Sequence, residues 1–304
     1  MAAKLFTRLS HRAVLELGGE DCRPFLQGLI SNDVDRVAPD RAMWAAFLTP
    51  QGKFLHDLFV VERATEQGRA LLLEVEADRA EDFRKKLSLY KLRAKVTLRL
   101  AGELAVWAAF GADSLAALGL PETAGAAQTL GGGLAFADPR LAAAGARLLL
   151  PAGEGEAALA AAGLEPAEFA AWDRLRLGLG LPDGSRDLPV DKAILLENGF
   201  DELGGVDFKK GCYMGQELTS RTKHRGLVRK RLMPVVIDGP TPEPGTPVWL
   251  GDAEAGEMRS ASGDVGLAMI RLEQFRKAAG QAFTCGPSRL TPRQPDWAVF
   301  PGGE

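Results

Sequence analysis

The chain has 304 residues, with 37 basic and 40 acidic side chains, a formal charge of −3 and 46 % hydrophobic residues. These proportions exclude a disordered tail or a fibrous repeat, and they allow roughly three quarters of the unfolded surface to be buried in two or three domains. Near-neutral charge argues against a dedicated nucleic-acid binder, and no stretch approaches the roughly 20 apolar residues of a membrane span. Cys22, Cys212 and Cys285 are as dispersed as His11, His56 and His224. That spacing excludes a disulfide framework and a preformed metal site and points to a reducing cytoplasm. The N-terminus lacks the apolar core of a signal peptide. It carries no acid before Glu16, as presequences do, but a strand pattern begins by Ala13, so no targeting segment is expected.

In chain order, residues 13–17 (AVLEL) alternate as a strand. Glu20 and Asp21 precede a helix pattern, PFLQGLI, with Pro24 in its first turn, and SNDVDR (31–36) reads as a turn. Residues 43–48 and 54–61 are apolar strands around TPQGK and pair as a hairpin; 71–75 form another strand. Asp78 caps a helix running to about Tyr90, with Phe83 and Leu87 one turn apart, and KVTLRL (95–100) alternates strictly. This order gives an α+β sandwich. A second α+β segment starts at Leu104, with helices near 154–162 and 166–177, the latter opened by Pro166. Beyond 230, Pro and Gly recur between short alternating runs (232–237, 247–250, 265–270, 281–283), the pattern of a small β-barrel. The expected domains are 1–100, 101–230 and 231–304.

The chemistry concentrates in LGGVDFKKGCYMGQELTSRTKHRGLVRKR (203–231). Gly211 and Gly215 bracket Cys212 and suit an exposed turn. A helix from about Gly215 points its positive end toward the thiol. Lys209 and Lys210 precede it, and Arg221, Lys223, Arg225, Arg229, Lys230 and Arg231 follow. Both effects lower a thiol pKa from about 8.5 toward neutrality, so Cys212 is expected to be nucleophilic or metal-attracting. The residues alone leave a second reading open, a small buried hydrophobe; Cys22 and Cys285 take that one. The basic run is either a solvated hinge or an attractor of polyanions, and no aromatic interleaving supports base stacking.

This stretch closely resembles the signature of the YgfZ family, K-G-C-Y-x-G-Q-E followed by Arg. The octapeptide stands whole from Lys210 to Glu217, with Arg221 beyond it. GGEDCRPFLQGLISNDV (18–34) and LTPQGKFLHDLFV (48–60) resemble the family's first helix and hairpin. The family is related to the glycine-cleavage T protein. The resemblance implies two ferredoxin-like, folate-binding α+β domains and a C-terminal β-barrel in a three-lobed ring. It implies tetrahydrofolate or another folate as cofactor. It also implies a role in assembling or repairing iron–sulfur clusters, including those of tRNA-modifying enzymes, with assembly factors or client proteins as partners. On this resemblance Cys212 is the reactive thiol and Asp57 a second catalytic residue facing the pterin. Lys210, Gly211, Tyr213, Gly215, Gln216, Glu217, Arg221 and Arg225 join Asp57 in holding the folate. No resident metal, membrane or direct nucleic-acid partner is expected. A lone thiolate takes an iron but holds no cluster, so partners supply the other ligands.

The chain departs from the T protein at two places. His56-Asp57 replaces a pair of aspartates, and Leu175-Arg176-Leu177-Gly178-Leu179-Gly180 lacks the glutamate of L-R-L-E-A-G. Each loss removes a candidate proton acceptor. The T protein in turn lacks the signature thiol. These differences weigh against glycine-cleavage catalysis. A folate-dependent aminomethyl transferase remains the alternative, and a folate-free thiol redox or tRNA-binding module a third reading.

Overall fold

The computed structural model describes residues 3–65, 68–226 and 228–300. In chain order the first half contains β1 (Leu5–Arg8), β2 (Arg12–Gly18), α1 (Cys22–Gln27), β3 (Met43–Leu48), β4 (Phe54–Thr65), β5 (Gly68–Glu76), α2 (Ala80–Tyr90) and β6 (Thr97–Leu100). Then come β7 (Leu104–Phe110), α3 (Ser114–Ala117), β8 (Ala127–Leu130), β9 (Gly133–Ala137), β10 (Ala146–Pro151), α4 (Gly155–Ala161), β11 (Glu165–Pro166) and α5 (Phe169–Leu179). The remainder holds α6 (Gln216–Arg225), β12 (Lys230–Asp238), β13 (Pro247–Leu250), β14 (Ala253–Ser262), β15 (Val265–Arg271), α7 (Leu272–Ala278), β16 (Phe283–Cys285) and β17 (Ser288–Pro292).

The chain forms two compact units that interleave in sequence. One comprises Met1–Leu48, Leu55–Trp172 and Gly204–Met214; the other comprises Thr49–Phe54, Asp173–Leu203 and Gly215–Glu304. The first unit contains two sheets, ordered β3-β4-β5-β2-β6 and β11-β1-β7-β10-β9-β8. The hairpin expected from 43–61 forms, because both runs are apolar enough to be buried on both faces. The strand β1 pairs antiparallel with β7, Leu5 opposite Phe110, so the N-terminal residues complete the sheet built from 104–166.

Two local expectations change. Asp78 lies in a 3₁₀ turn, and α2 starts at Ala80 with no side-chain cap. Pro166 does not open α5. It pairs parallel with Phe6, and the amides of Glu165 and Ala167 donate to the carbonyls of Lys4 and Phe6 at 2.8 Å each, so the helix starts only at Phe169. Edge pairing fits proline, whose missing N–H costs nothing on the open side.

In the second unit six strands close a barrel in the order β12-β15-β14-β13-β16-β17. Alternate residues Met233, Val235 and Ile237 of β12 fill it, with Val248, Met258, Ala268, Ile270, Phe283 and Leu290. Closure removes open edges. The pattern reading found β12, β13 and β15. It missed β14 and β17, whose sequences AEAGEMRSAS and SRLTP carry too few large apolar residues, and it placed the β16 run two residues early.

Candidate functional site

Cys212 is exposed, whereas Cys22 and Cys285 are buried, and all three are free thiols. Burial pushes the Cys22 and Cys285 thiols up, as packing residues should be. The loop bearing Cys212, residues 204–214, is fastened within the first unit to the segment that follows α1. Asn32 Nδ2 donates to the Gly204 carbonyl at 2.8 Å and to that of Trp44 at 2.7 Å. Ser31 Oγ donates to the Gly205 carbonyl at 2.6 Å, and the Asp207 amide donates to Ser31 O at 3.0 Å. Buried Asp207 accepts from the amides of Lys209 and Lys210 at 2.6 and 2.9 Å, bending the loop, and pairs with Arg36 at 2.7 Å.

Lys210 is the central fastening. Its Nζ donates to the carbonyls of Gln27, Ile30 and Asn32 at 2.7, 2.8 and 2.7 Å, which uses all three protons. It thereby engages the carbonyl of Gln27, the last residue of α1, and two carbonyls of the segment that follows the helix. Its ammonium also lies 5.1 Å from the Tyr213 ring. Burial pulls the Lys210 pKa down to about 8, against the pull of Asp33, Asp207 and Asp35. This corrects the sequence expectation: Lys210 is not free to hold a folate tail. Tyr213 is buried, and the Met214 amide donates to Gly28 O at 3.1 Å. Lysine inward, glycine and cysteine outward, tyrosine inward: the K-G-C-Y order presents one sulfur between two anchors. Gly211 is exposed, and a Cβ there would meet nothing within 4 Å, so the space beside the thiol is open.

Asp57 also departs from expectation. It is 1 % exposed, with Oδ1 on Arg12 at 3.0 Å and Oδ2 accepting from Trp44 Nε1 at 3.4 Å. Arg12 also reaches Glu74 at 3.0 Å, Glu74 binds Arg147, and Arg147 lies 3.7 Å from Asp138, which pairs with Arg140 at 2.7 Å. The Arg147 and Arg140 guanidiniums sit 4.0 and 4.9 Å from the Phe59 ring. Burial raises the Asp138 carboxyl, but Arg140 and Arg147 outweigh it and the net shift is down. Asp57 is thus one member of a buried ion network, not an available base. His56, beside it in sequence, is buried against Phe83 and bonds Asp82 at 3.2 Å; burial and Arg79 hold it down to about 4.

In the second unit, α6 starts at Gln216 behind Gly215, whose φ of +80° needs a glycine, and it stops at Gly226. Gly52 packs on this start: a Cβ there would lie 2.6 Å from the Gly215 carbonyl. Lys223 pairs with Asp201 at 2.5 Å. Glu217, Arg221 and Arg225 are exposed and Gln216 is half-buried. Basic residues in the last turn suit the helix dipole, a sufficient structural reason for their sign. Arg176 stands in the LRLGLG run. Its guanidinium binds Asp173 at 2.6 Å, Asp187 at 2.6 Å and Ser260 Oγ at 2.8 Å, clamping α5 to β14.

Sequence reasoning missed Ser31, Asn32, Arg36 and Asp207, which hold the thiol loop. Their one visible signal was a polar turn, SNDVDR, directly after an apolar helix pattern. Among the described residues no three His, Cys, Asp or Glu side chains group to hold a metal.

Comparison with known proteins completes the description. Residues 229–300 match the family model described as CAF17, C-terminal beta-barrel domain. The chain is 38 % identical over 288 residues to the human "Iron-sulfur cluster assembly factor IBA57, mitochondrial", covering 88 % of this chain and 78 % of that one. The mouse protein of the same name is 37 % identical over 290 residues, with the same coverage. Among solved structures, the glycine cleavage system aminomethyltransferase T of Bartonella henselae matches with a TM-score of 0.75 at 16 % identity, over 98 % of this chain and 87 % of that one. That likeness establishes the T-protein-like fold. The expectation of a cytoplasmic protein is overturned, since these relatives are named mitochondrial.

Proposed function

The chain belongs to the IBA57 family of iron–sulfur cluster assembly factors, and on that premise we propose that it assists cluster assembly or repair through the Cys212 thiol. The observation that carries this reading is the exposed sulfur held between two anchored residues, Lys210 and Tyr213. The thiol would release its proton to solvent and its sulfur would replace one ligand on an iron of the cargo cluster, while a partner protein supplies the remaining ligands. Lys210 fixes the loop, so the sulfur meets its cargo with little ordering left to do. The likeness to the YgfZ signature supports the finer reading that the clients include cluster enzymes that modify tRNA.

Folate, implied by the T-protein-like fold and by the family resemblance, is not favoured by the side chains expected to hold it. Both Asp57 oxygens and all three Lys210 protons are engaged within the unit. Only Arg221 and Arg225 on α6 suit an acidic tail. No step is therefore routed through folate, and the aminomethyl-transfer alternative loses its proposed base. Calorimetric titration with tetrahydrofolate tests ligand binding independently of cluster assembly.

The deciding experiment replaces Cys212 with Ala and with Ser in a strain lacking its own copy and assays [4Fe–4S] enzymes. Both variants should fold with parental stability, since the side chain is exposed, and both should leave those enzymes inactive. Normal enzyme activity with Cys212→Ala would end the proposal.

A further inference from the structure

The end of α2 and the turn that joins it to β6 leave large apolar side chains in water. Leu89 is 76 % exposed, Leu92 91 % and Tyr90 39 %. Leu92 also holds a left-handed backbone at φ +41°, a conformation that costs a residue with a bulky side chain. Strain and apolar exposure thus coincide at one position. Lys85, Lys86 and Lys95 are paired with Glu81, Asp82 and Glu20. Lys91 and Arg93, flanking Leu92, are exposed and make no ion pair among the described residues. The result is a convex apolar knob with two uncompensated positive charges.

This knob is tied to the same helix that anchors the thiol loop. The Lys95 amide donates to Asp21 Oδ2 at 2.7 Å, and Asp21 stands at the N-terminal cap of α1. Lys210 and Met214 hold the opposite end of α1, at Gln27 and Gly28. Six helical residues span about 9 Å, and a standard protein interface covers about 800 Å² per partner. The Lys95 bond and the Lys210 and Met214 bonds thus sit at opposite ends of one short helix, a separation that an interface of that size exceeds.

We propose that Leu89, Tyr90 and Leu92, with Lys91 and Arg93, form a docking knob for the protein that supplies the remaining iron ligands, whose matching surface is an apolar pocket rimmed by Asp and Glu. The inference rests on the reading of Cys212 given above. An acidic rim is what the two unpaired cations select, and the convex shape calls for a concave partner.

The test expresses the full chain at low and high levels in a strain lacking its own copy, as parent, Cys212→Ala, Leu89→Ser/Leu92→Ser and Lys91→Glu/Arg93→Glu. [4Fe–4S] enzyme activity is the readout. Thermal midpoints confirm that the surface variants fold. The leucine and charge-reversal pairs should each weaken docking roughly ten-fold or more. They should therefore fail at low expression and recover at high expression, where mass action restores the complex. Cys212→Ala should fail at both levels. Full rescue by the leucine pair at low expression, with Cys212→Ala still inactive, overturns the knob and leaves the thiol reading intact. Rescue by Cys212→Ala removes the reading on which the knob rests. A photo-crosslinker at position 92 should capture the same acidic polypeptide as one at position 211. Capture of different proteins, or binding of the parent to phosphatidylglycerol vesicles that the leucine pair abolishes, overturns the assignment.

Discussion

Replacing Lys210 with Met tests whether this lysine is a fastening. Methionine keeps the apolar stem but removes three donors, so the carbonyls of Gln27, Ile30 and Asn32 lose their charged partner at once. At about 1.5 kcal/mol for each hydrogen bond to a charged group, the gross loss is about 4–5 kcal/mol. Part returns, because the buried ammonium no longer has to be dehydrated. The fall of its pKa to about 8 reports that cost, which partial exposure discounts to about 2 kcal/mol. A net loss of about 2–3 kcal/mol remains, concentrated where the loop meets α1. Urea unfolding measures the total. Amide exchange across 204–214 should accelerate more than exchange in the barrel, and labelling of Cys212 by a thiol reagent should change in rate. A variant within about 0.5 kcal/mol of the parent, with unchanged exchange in the loop, would refute the assigned role and show that surrounding bonds hold the loop without Lys210.

Three further outcomes follow from the buried ionic groups. His56 has a native pKa of about 4 against an unfolded value near 6.5, so the unfolded chain binds the proton first as pH falls. Its contribution is complete above pH 6.5 and is lost progressively toward pH 4, by at most about 3 kcal/mol; His56→Phe should flatten that part of the stability–pH curve in urea melts at pH 7 and 4.5. Asp57→Ala leaves Arg12 with one buried carboxylate partner fewer and should cost about 3–5 kcal/mol, read by thermal unfolding; parental stability with lost activity would restore Asp57 as a catalytic base. Arg176→Met should cost a similar amount, about 3–5 kcal/mol, because Asp173 and Asp187 stay buried without their shared cation.

The limits of the sequence reading have physical causes. Alternation exposed β2 and three of the six barrel strands, and continuous apolar runs exposed the 43–61 hairpin, because strands that bury one face or two show it in their composition. The fastenings were invisible because they join distant residues: Lys210 reaches carbonyls 178 to 183 positions earlier, and no local pattern marks a carbonyl that lacks a partner. The same blindness hid the partners of Asp57. Its chemistry as a carboxylate was plain, but Arg12 and Trp44, which engage it, lie in other strands. Charge in the signature therefore needed sorting by direction. Its lysine points inward and stabilises the loop, whereas the arginines of α6 face solvent. The sequence presents the cations around Cys212 as one cluster acting on the thiol. Instead Lys210 contributes position, so the requirement for lysine next to the glycine–cysteine pair is a demand for three donors at the end of a long stem. Arginine's planar fork does not match three converging carbonyls, and Lys210→Arg should loosen the loop despite conserving the charge.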